Sequence, residues 1–252
     1  MKNKIKYIVG DIGNTSTRIC LLNQKFSIVR SVIFDTKKIY EKRYLKNCFK
    51  KFLKKDINLN FLFSSVVPSG FKTIKKIFKG SKYKVIEIKS LKIKQLIKIN
   101  VKKINQLGSD RIVNAIAGKK YKNCLILDFG TATTFDIIKN SVYEGGVIAP
   151  GVKLSMWNLS NSTALLPMFK LKNSQKNYGK NTIDALNAGF IWGYEGLINN
   201  IIKKIILKTK EDYKIILTGG YAKLFSKYIK KKTTIDQNIT IKGIAKAFKE
   251  LV

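Results

Sequence analysis

Histidine is absent from the 252 residues of this chain, and cysteine, proline and arginine are scarce. Without histidine the chain cannot build a Ser-His-Asp triad, a Cys-His pair or a histidine-ligated metal site. Any acid–base chemistry therefore falls to aspartate, glutamate, lysine, tyrosine or cysteine. The three cysteines, Cys20, Cys48 and Cys124, are far apart and form no C-x-x-C pair, so they indicate neither a disulfide framework nor a zinc site.

Long apolar runs are also missing. The sequence has no uninterrupted apolar stretch of about 18 residues, the length that a membrane-spanning helix needs. The basic first residues are not followed by an apolar segment and a small-residue cleavage site, so we expect no signal peptide. These features predict a cytoplasmic protein that has no membrane partner.

Acidic residues are few, with 15 Asp and Glu against 50 Lys and Arg, which gives a net charge of +35. Nucleic-acid binding is one interpretation of such a charge. However, the basic residues are spread along the whole chain, and a nucleic-acid binder typically uses arginine for bidentate contacts. All but four are lysine, the exceptions being Arg18, Arg30, Arg43 and Arg111. We therefore favour a solvated lysine-rich surface and do not expect nucleic acid as a partner.

Apolar runs and turns alternate along the chain in a way that predicts an α/β protein. Short strands are predicted at 5–10, 17–22 and 61–68, and helices at 182–207 and 240–251. One pattern occurs twice, as DIGNTSTR at 11–18 and within LILDFGTATTFD at 125–136. Both copies place an aspartate after an apolar strand, a glycine two residues later, and then threonine-rich positions.

The two aspartates of this repeat, Asp11 and Asp128, are 117 residues apart, nearly half the chain. The glycines permit tight turns, and the turns expose backbone N–H groups and hydroxyls that can bind a polyphosphate. Carboxylates repel phosphate, so we expect the aspartates to face a cation or its water ligands. One such turn is common, but two, with LTGG after a further strand, indicate a duplicated phosphate site. No Walker-type G-x-x-x-x-G-K-[ST] loop occurs.

The segment GSDRIVNAIAGKK predicts a helix that Ser109 can cap and that Gly118 ends. Asp110 lies at its start, where the helix dipole favours the charged carboxylate. That carboxylate could accept a hydroxyl proton, or it could merely cap the helix. The planar guanidinium of Arg111 is suited to bidentate binding of a carboxylate.

The ordered motifs DIGNT, GSDR, DFGTATTFD, GGVIAPG, TALLP, GKNTIDALNAG and TGG resemble those of type III pantothenate kinases. The resemblance spans about residues 7–220. It implies the α/β, duplicated ribonuclease-H-like fold of actin-like ATPases, with two lobes (1–112 and 113–252) and a central nucleotide cleft. The last helix could pack back on the first lobe.

The same resemblance implies ATP-dependent phosphorylation of pantothenate, the first step of coenzyme A biosynthesis. It implies Mg²⁺, a monovalent cation (K⁺ or NH₄⁺) and a homodimer. The apolar segment 147–167 and the helix after Thr182 carry more hydrophobic surface than one small lobe needs, which is consistent with a dimer.

Site residues follow from the same motifs. The resemblance makes Asp110 the catalytic base and Asp128 the ligand of the monovalent cation. It assigns ATP binding to Asp11, Ile12, Gly13, Asn14, Thr15, Ser16, Thr17, Arg18 and Thr131. It assigns pantothenate binding to Gly108, Ser109, Asp110, Arg111 and Thr182. Two departures from the family occur: Ser109 replaces the usual alanine, and Val101 and Lys103-Ile104 replace a tyrosine and an Asn-Pro pair.

Two other classes of function stay open on the sequence. One is a different member of the superfamily, such as a sugar kinase or a polyphosphate-handling enzyme, which would share the phosphate turns. The other is a nucleic-acid-binding or regulatory protein that has kept the fold and lost turnover, an alternative that the net charge keeps open.

Overall fold

The computed structural model describes residues 5–53, 56–172 and 177–252. Within these residues the strands are β1 (Lys6–Ile12), β2 (Ser16–Leu22), β3 (Ile28–Asp35), β4 (Ile57–Ser65), β5 (Lys84–Glu87), β6 (Lys98–Ile99), β7 (Cys124–Phe129), β8 (Ala132–Lys139), β9 (Val142–Pro150), β10 (Lys214–Gly219) and β11 (Thr233–Ile235). The α-helices are α1 (Lys42–Lys50), α2 (Pro68–Ile77), α3 (Ser109–Gly118), α4 (Val152–Asn161), α5 (Thr182–Thr209), α6 (Ala222–Phe225) and α7 (Ile239–Leu251). Short 3₁₀ turns are formed by Thr36–Tyr40, Ile88–Ser90, Ile93–Gln95, Ile104–Gln106 and Lys119–Tyr121.

The chain forms two compact units. The first comprises Met1–Lys120 together with Asn238–Val252, and the second comprises Tyr121–Gln237. Helix α3 continues to Gly118 without a break and lies wholly within the first unit.

Both units have the same sheet topology. In the first unit the strand order is β3-β2-β1-β4-β5, with β1 antiparallel to β2 and parallel to β4. In the second unit the corresponding order is β9-β8-β7-β10-β11, with β7 antiparallel to β8 and parallel to β10. The two orders match strand for strand, which confirms the duplicated α/β fold that the sequence repeat predicts.

Each unit has its own hydrophobic core. In the first, helices α1 and α2 pack on the sheet through an aromatic cluster in which Phe49 and Phe61 each contact the edge of Phe78. In the second, the long helix α5 places Ile191, Ile198 and other apolar residues on the sheet. Burying one such side chain contributes about 1.5–3 kcal/mol, so each core is a major source of stability for its unit.

The C-terminal helix α7 completes the first unit. It packs against α3 so closely that a side-chain carbon at Gly243 would collide with the carbonyl of Val113. The Thr240 hydroxyl donates to Oδ1 of the buried Asn114 at 2.9 Å. Near its other end, Phe248 contacts the edge of Tyr7 on β1. The helix that carries Asp110 is therefore held from behind by α7.

Across the described ranges, no helix combines the length and the apolar character that crossing a bilayer requires.

Candidate active site

The first predicted phosphate turn is the hairpin between β1 and β2. Asp11 lies opposite Arg18 in the antiparallel register, and Ile12 lies opposite Thr17. The Gly13 amide donates to the Ser16 carbonyl at 3.0 Å, which closes the turn. Thr36 supports it from the next connection, because its hydroxyl donates to the Gly13 carbonyl at 2.6 Å.

The structure separates the predicted ATP contacts of this turn into two groups. Asn14, Thr15 and Ser16 are exposed at its tip, where their backbone amides and side chains can reach a ligand. Ile12 and Thr17 are fully buried beneath it, and the Thr17 hydroxyl lies 3.0 Å from that of Thr36. We infer that the tip is the part of this turn that can bind phosphate.

Arg18 has contacts within the first unit that the sequence did not indicate. Its Nε donates to the Ser31 hydroxyl on β3 at 3.0 Å, and its Nη2 donates to Oδ1 of Asn238 at 2.7 Å. Asn238 directly precedes α7. The guanidinium thus joins the hairpin to the returning helix, and its assignment to ATP stays a prediction.

Asp11 lies at the end of β1 and has a buried carboxylate oxygen. Its Oδ1 has no hydrogen-bond partner among the residues that the structure describes, and the same holds for the Ser64 hydroxyl. Ser64 is the residue of β4 that pairs with Asp11 in the parallel register. Two buried polar groups on adjacent strands are therefore left without internal partners, a costly arrangement that a bound ligand would relieve.

The environment of Asp11 favours its neutral form. Burial, and after it the nearby charge of Asp110, raise the pKa of this carboxyl to about 7. The Ser64 hydroxyl, which faces the carboxyl without completing a hydrogen bond, and the guanidinium of Arg18 act in the opposite direction. Asp11 and Asp110 are therefore near neighbours, although they come from the end of a strand and the start of a helix.

The GSDR segment forms the start of α3, as predicted. The prediction that Ser109 caps the helix is wrong, because Gly108 is the N-cap residue and no side chain makes a capping hydrogen bond there. Asp110 lies in the first turn, where its Oδ1 accepts the Arg111 amide hydrogen at 2.8 Å. A side-chain carbon at Gly108 would collide with that same Oδ1, so only glycine leaves room for the carboxylate in this position. Ser109 is fully buried, and its hydroxyl bonds to groups inside the unit.

Asp110 is less ready to ionise than its place at a helix start suggests. Burial raises the pKa of its carboxyl, and this effect exceeds the lowering that comes from the Arg111 amide and the charges of Arg111 and Lys89. A carboxylate whose pKa is raised is a stronger base while it is ionised. The expectation that the helix dipole would dominate is thus reversed by desolvation, which depends on packing that the sequence does not display.

The second predicted turn joins β7 to β8 and is one residue shorter. Asp128 lies opposite Thr134, Phe129 lies opposite Thr133, and the Gly130 amide donates to the Ala132 carbonyl at 3.1 Å. Thr131 is exposed at the tip, where the sequence predicts an ATP contact.

Asp128 lies against the glycine turn that ends β10. Gly219 has a φ of +86°, and a side-chain carbon there would come within 2.6 Å of Asp128 Oδ1. The TGG motif is therefore needed for two reasons: the backbone is left-handed, and the carboxylate occupies the space of a side chain. In the second unit, the Asp128 carboxylate therefore lies in contact with the backbone of the Gly219 turn.

Thr182, the predicted pantothenate contact, is the exposed first residue of α5. The preceding Asn181 caps the helix, since its Oδ1 accepts the Asp184 amide hydrogen at 2.9 Å and its Nδ2 donates to Asp184 Oδ2 at 2.8 Å. Asp184 therefore acts in capping. Thr182 also lines a mostly apolar cavity of about 920 Å³ within the second unit, formed mainly by α4 and α5.

The surface beside this cavity is strongly apolar. Large hydrophobic side chains are exposed along α4, α5 and the segment between them, including Leu154, Trp157, Leu165, Met168, Ile183 and Trp192. Leu165 is 88 % exposed and Trp157 is 55 % exposed. We call these six residues the apolar face. A patch of this kind typically marks an interface.

Sequence reasoning missed three residues around Asp110 and Asp11: Ser64, Glu87 and Lys89. Ser64 follows the apolar run FLF and could have been found as a strand-end residue. Glu87 and Lys89 lie in a lysine-rich stretch that carries no motif. Only the adjacency of β4, β5 and the start of α3 brings them to the site.

Comparison with known proteins agrees with this geometry. The model of the type III pantothenate kinase family matches residues 7–204. The type III pantothenate kinase of Pelagibacter ubique is 50 % identical over 243 residues, covering 95 % of this chain and 97 % of that protein. The enzyme of the same description from a Sulfurihydrogenibium species is 36 % identical over 246 residues, covering 93 % of this chain and 96 % of its own length.

Solved structures share the fold at low sequence identity. A Baf family transcriptional activator from Campylobacter jejuni aligns with a TM-score of 0.64 at 22 % identity, covering 96 % of this chain and 98 % of its own. The activator of 2-hydroxyisocaproyl-CoA dehydratase from Clostridium difficile, solved with bound ADPNP, has a TM-score of 0.56 at 11 % identity, covering 98 % and 95 %. The fold is therefore that of the actin-like kinases and ATPases. Since the family model and full-length relatives agree, this chain belongs to the type III pantothenate kinase family.

Proposed function

We propose that this protein transfers the γ-phosphate of ATP to the primary hydroxyl of pantothenate, and that Asp110 is the general base. The observation that carries the proposal is that Asp110 and Asp11 lie near each other in the first unit, in a chain of this family: the Ser109 hydroxyl reaches the Ser65 carbonyl, next to the Ser64–Asp11 pair. One carboxylate lies at a helix start beside Arg111, and the other lies below an exposed glycine turn. Phosphoryl transfer needs this combination of a positioned base and charge neutralisation near the phosphates.

Asp110 is suited to accept the proton of the attacking hydroxyl. Its buried position raises its pKa, while Arg111 and Lys89 keep positive charge nearby. Arg111 is the residue we assign to the carboxylate of pantothenate, because its guanidinium can form two parallel hydrogen bonds with that group. We also assign substrate contacts to the backbone at Gly108 and Ser109, and to Thr182 in the second unit.

ATP is assigned to the exposed tips of both turns, with Asn14 to Ser16 in one and Thr131 in the other. Mg²⁺ fits the first turn on one observation: Oδ1 of Asp11 is a buried carboxylate oxygen without a partner in the described chain. Mg²⁺ usually takes one or two carboxylates and completes its shell with water and substrate phosphates. This agrees with finding no cluster of three or more metal-ligating side chains among the described residues. When bound, Mg²⁺ would neutralise charge on the phosphates.

A monovalent cation fits the second turn. Asp128 Oδ1 lies against the left-handed turn at Gly219, so a carboxylate oxygen is held at the end of β7 and β10. We assign K⁺ or NH₄⁺ to this carboxylate, where it would offset the charge of the nearby ATP phosphates.

The apolar face supports a homodimer. Its exposed tryptophans and leucines lie on α4, α5 and the segment between them, and pairing with a second copy would remove their apolar surface from water. Thr182 lines the cavity formed mainly by α4 and α5, so a partner subunit would cover the surroundings of this substrate contact. We also place the enzyme in the cytoplasm, where both substrates occur.

ATP consumption with and without pantothenate, measured first in potassium and then in sodium, tests the proposal. We expect ADP release that depends on pantothenate and on potassium, and a phosphorylated pantothenate identified by mass spectrometry. The exposed Asp212 provides a matched control, because Asp212→Asn should leave turnover unchanged while Asp110→Asn should abolish most of it. ATP consumption at the same rate with and without pantothenate would contradict the proposed function.

A further inference from the structure

The end of β5 is tied to the start of α3 by a glutamate that the family motifs do not include. Glu87 accepts the Lys89 amide hydrogen on Oε2 at 2.6 Å and thereby caps the 3₁₀ turn Ile88–Ser90. Its other oxygen, Oε1, accepts the Ser109 hydroxyl hydrogen at 2.5 Å. One carboxylate therefore holds a turn on one side and the first residue of α3 on the other.

The Ser109 hydroxyl also reaches a second strand. It lies 3.0 Å from the Ser65 carbonyl oxygen at the end of β4. Ser65 pairs with Ile12 of β1, next to the pairing of Ser64 with Asp11. Since Ser109 is fully buried, its hydroxyl has these internal acceptors rather than water. The start of α3 is thus attached to β4, which pairs with the strand that carries Asp11.

Asp110 directly follows Ser109. Its carboxylate has little freedom, because Oδ1 accepts the Arg111 amide hydrogen and lies against Gly108. Any rotation of the first turn of α3 would move this carboxylate with it. The loop before the turn is held as well, since the Lys89 ammonium donates to the Asn105 carbonyl at 3.4 Å.

We propose that Glu87 is a positioning residue for phosphoryl transfer, which acts through the Ser109 hydroxyl to hold the Asp110 carboxylate towards the acceptor hydroxyl. The inference rests on the proposed function, because it assigns Asp110 the role of base. Glu87 touches neither substrate; its effect is on geometry. Charge-assisted hydrogen bonds are the stronger and more directional ones, which suits a carboxylate to this role.

The test compares Ser109→Ala, Glu87→Ala, Glu87→Gln and the Ser109→Ala/Glu87→Ala double variant. A base displaced by a fraction of an ångström costs roughly tenfold in rate, given that about 1 Å can cost about 100-fold. We expect each alanine variant to lower kcat about tenfold without changing the KM for ATP, and the double variant to be no slower than either. Glu87→Gln should restore part of kcat, because its single amide oxygen can accept the Ser109 hydrogen but then no longer accepts the Lys89 amide hydrogen.

Glu41→Ala is the matched control, since Glu41 is an exposed glutamate at the start of α1 that makes no capping hydrogen bond through its side chain. Hydrogen–deuterium exchange of the peptide 108–114 provides a readout that needs no turnover. Exchange should be faster in the alanine variants, intermediate in Glu87→Gln and unchanged in the control. Unchanged kcat in Ser109→Ala, or multiplying effects in the double variant, would overturn the inference.

The experiments distinguish failure of the proposed function from failure of the positioning role of Glu87. If the wild-type protein shows no pantothenate-dependent turnover, the proposed function is wrong, and the exchange data alone then decide whether Glu87 holds the start of α3. If turnover is present and exchange at 108–114 is the same in all variants, the positioning role is wrong and the proposed function stands.

Discussion

Asp11 should make the ligand-free protein less stable as the pH rises, and Asp11→Asn should remove this effect. The folded state raises the pKa of Asp11 from 3.8 to about 7, so the folded protein holds a proton that the unfolded chain has already released. Between about pH 4 and pH 7 the unfolded state therefore binds fewer protons, and stability falls with pH across that window. Below this pH window Asp11 is protonated in both the folded and the unfolded state, and above the window it is ionised in both.

The size of the effect follows from the shift. About three pKa units at about 1.4 kcal/mol each correspond to a loss of about 4 kcal/mol once Asp11 is ionised. Asparagine resembles the protonated side chain and carries no charge, so it should avoid this loss. For a chain of this length 1 kcal/mol moves Tm by about 2–4 °C. Because Asp11 is partly exposed to water, we expect Asp11→Asn to raise Tm by about 5–10 °C at about pH 8 and by little at about pH 4.

Thermal unfolding followed by circular dichroism, across this pH range and with a chelator present, is the appropriate assay. Asp212→Asn removes a carboxylate whose side chain is 98 % accessible. Its Tm should therefore change with pH in the same way as the Tm of the wild type. Added Mg²⁺ and ATP should stabilise the wild type more than Asp11→Asn, because the ionised carboxylate would then have a partner. If Asp11→Asn and wild type keep the same Tm difference at both ends of the range, the assigned burial cost is wrong.

Five further outcomes can be tested. Asp110→Asn should lower turnover by at least about 100-fold with ATP binding retained, measured by steady-state kinetics and nucleotide titration, while Asp110→Glu recovers only part. Turnover should also fall at acidic pH as Asp110 is protonated, with the midpoint above the ordinary aspartate range because burial raises its pKa. Arg111→Lys should mainly raise the KM for pantothenate, and Asp128→Asn should weaken activation by potassium; equal potassium dependence in that variant would rule out the assignment. Trp157→Glu should give monomers in sedimentation velocity, whereas Val29→Glu, at an exposed apolar residue of the other unit, should leave the dimer intact.

The duplicated turns could be predicted from the sequence because each is encoded within about ten neighbouring residues. An apolar run, an aspartate and a glycine define the end of a strand and its turn locally, and the equal strand orders of the two units confirm that interpretation. The start of α3 could be predicted for the same reason, since GSDR and the following apolar positions lie on one helix.

The surroundings of those residues could not be predicted, because they come from distant parts of the chain. Arg18 and Asn238 are 220 positions apart, and nothing in either segment indicates their hydrogen bond. Glu87 and Ser109 meet only because β5 ends beside α3. The raised pKa of Asp110 likewise depends on burial by several elements, whereas the sequence shows only the helix start.

The return of α7 to the first unit has a consequence for synthesis. The second unit is one continuous segment, Tyr121–Gln237, and all of its residues have been made before α7 is reached. The first unit lacks the helix that packs on α3 until residues 239–251 have been made. The part of the protein that carries Asp11 and Asp110 is therefore begun first and completed last. A nascent chain stopped before Asn238 would contain every residue assigned to catalysis and still lack the support that holds α3 in place.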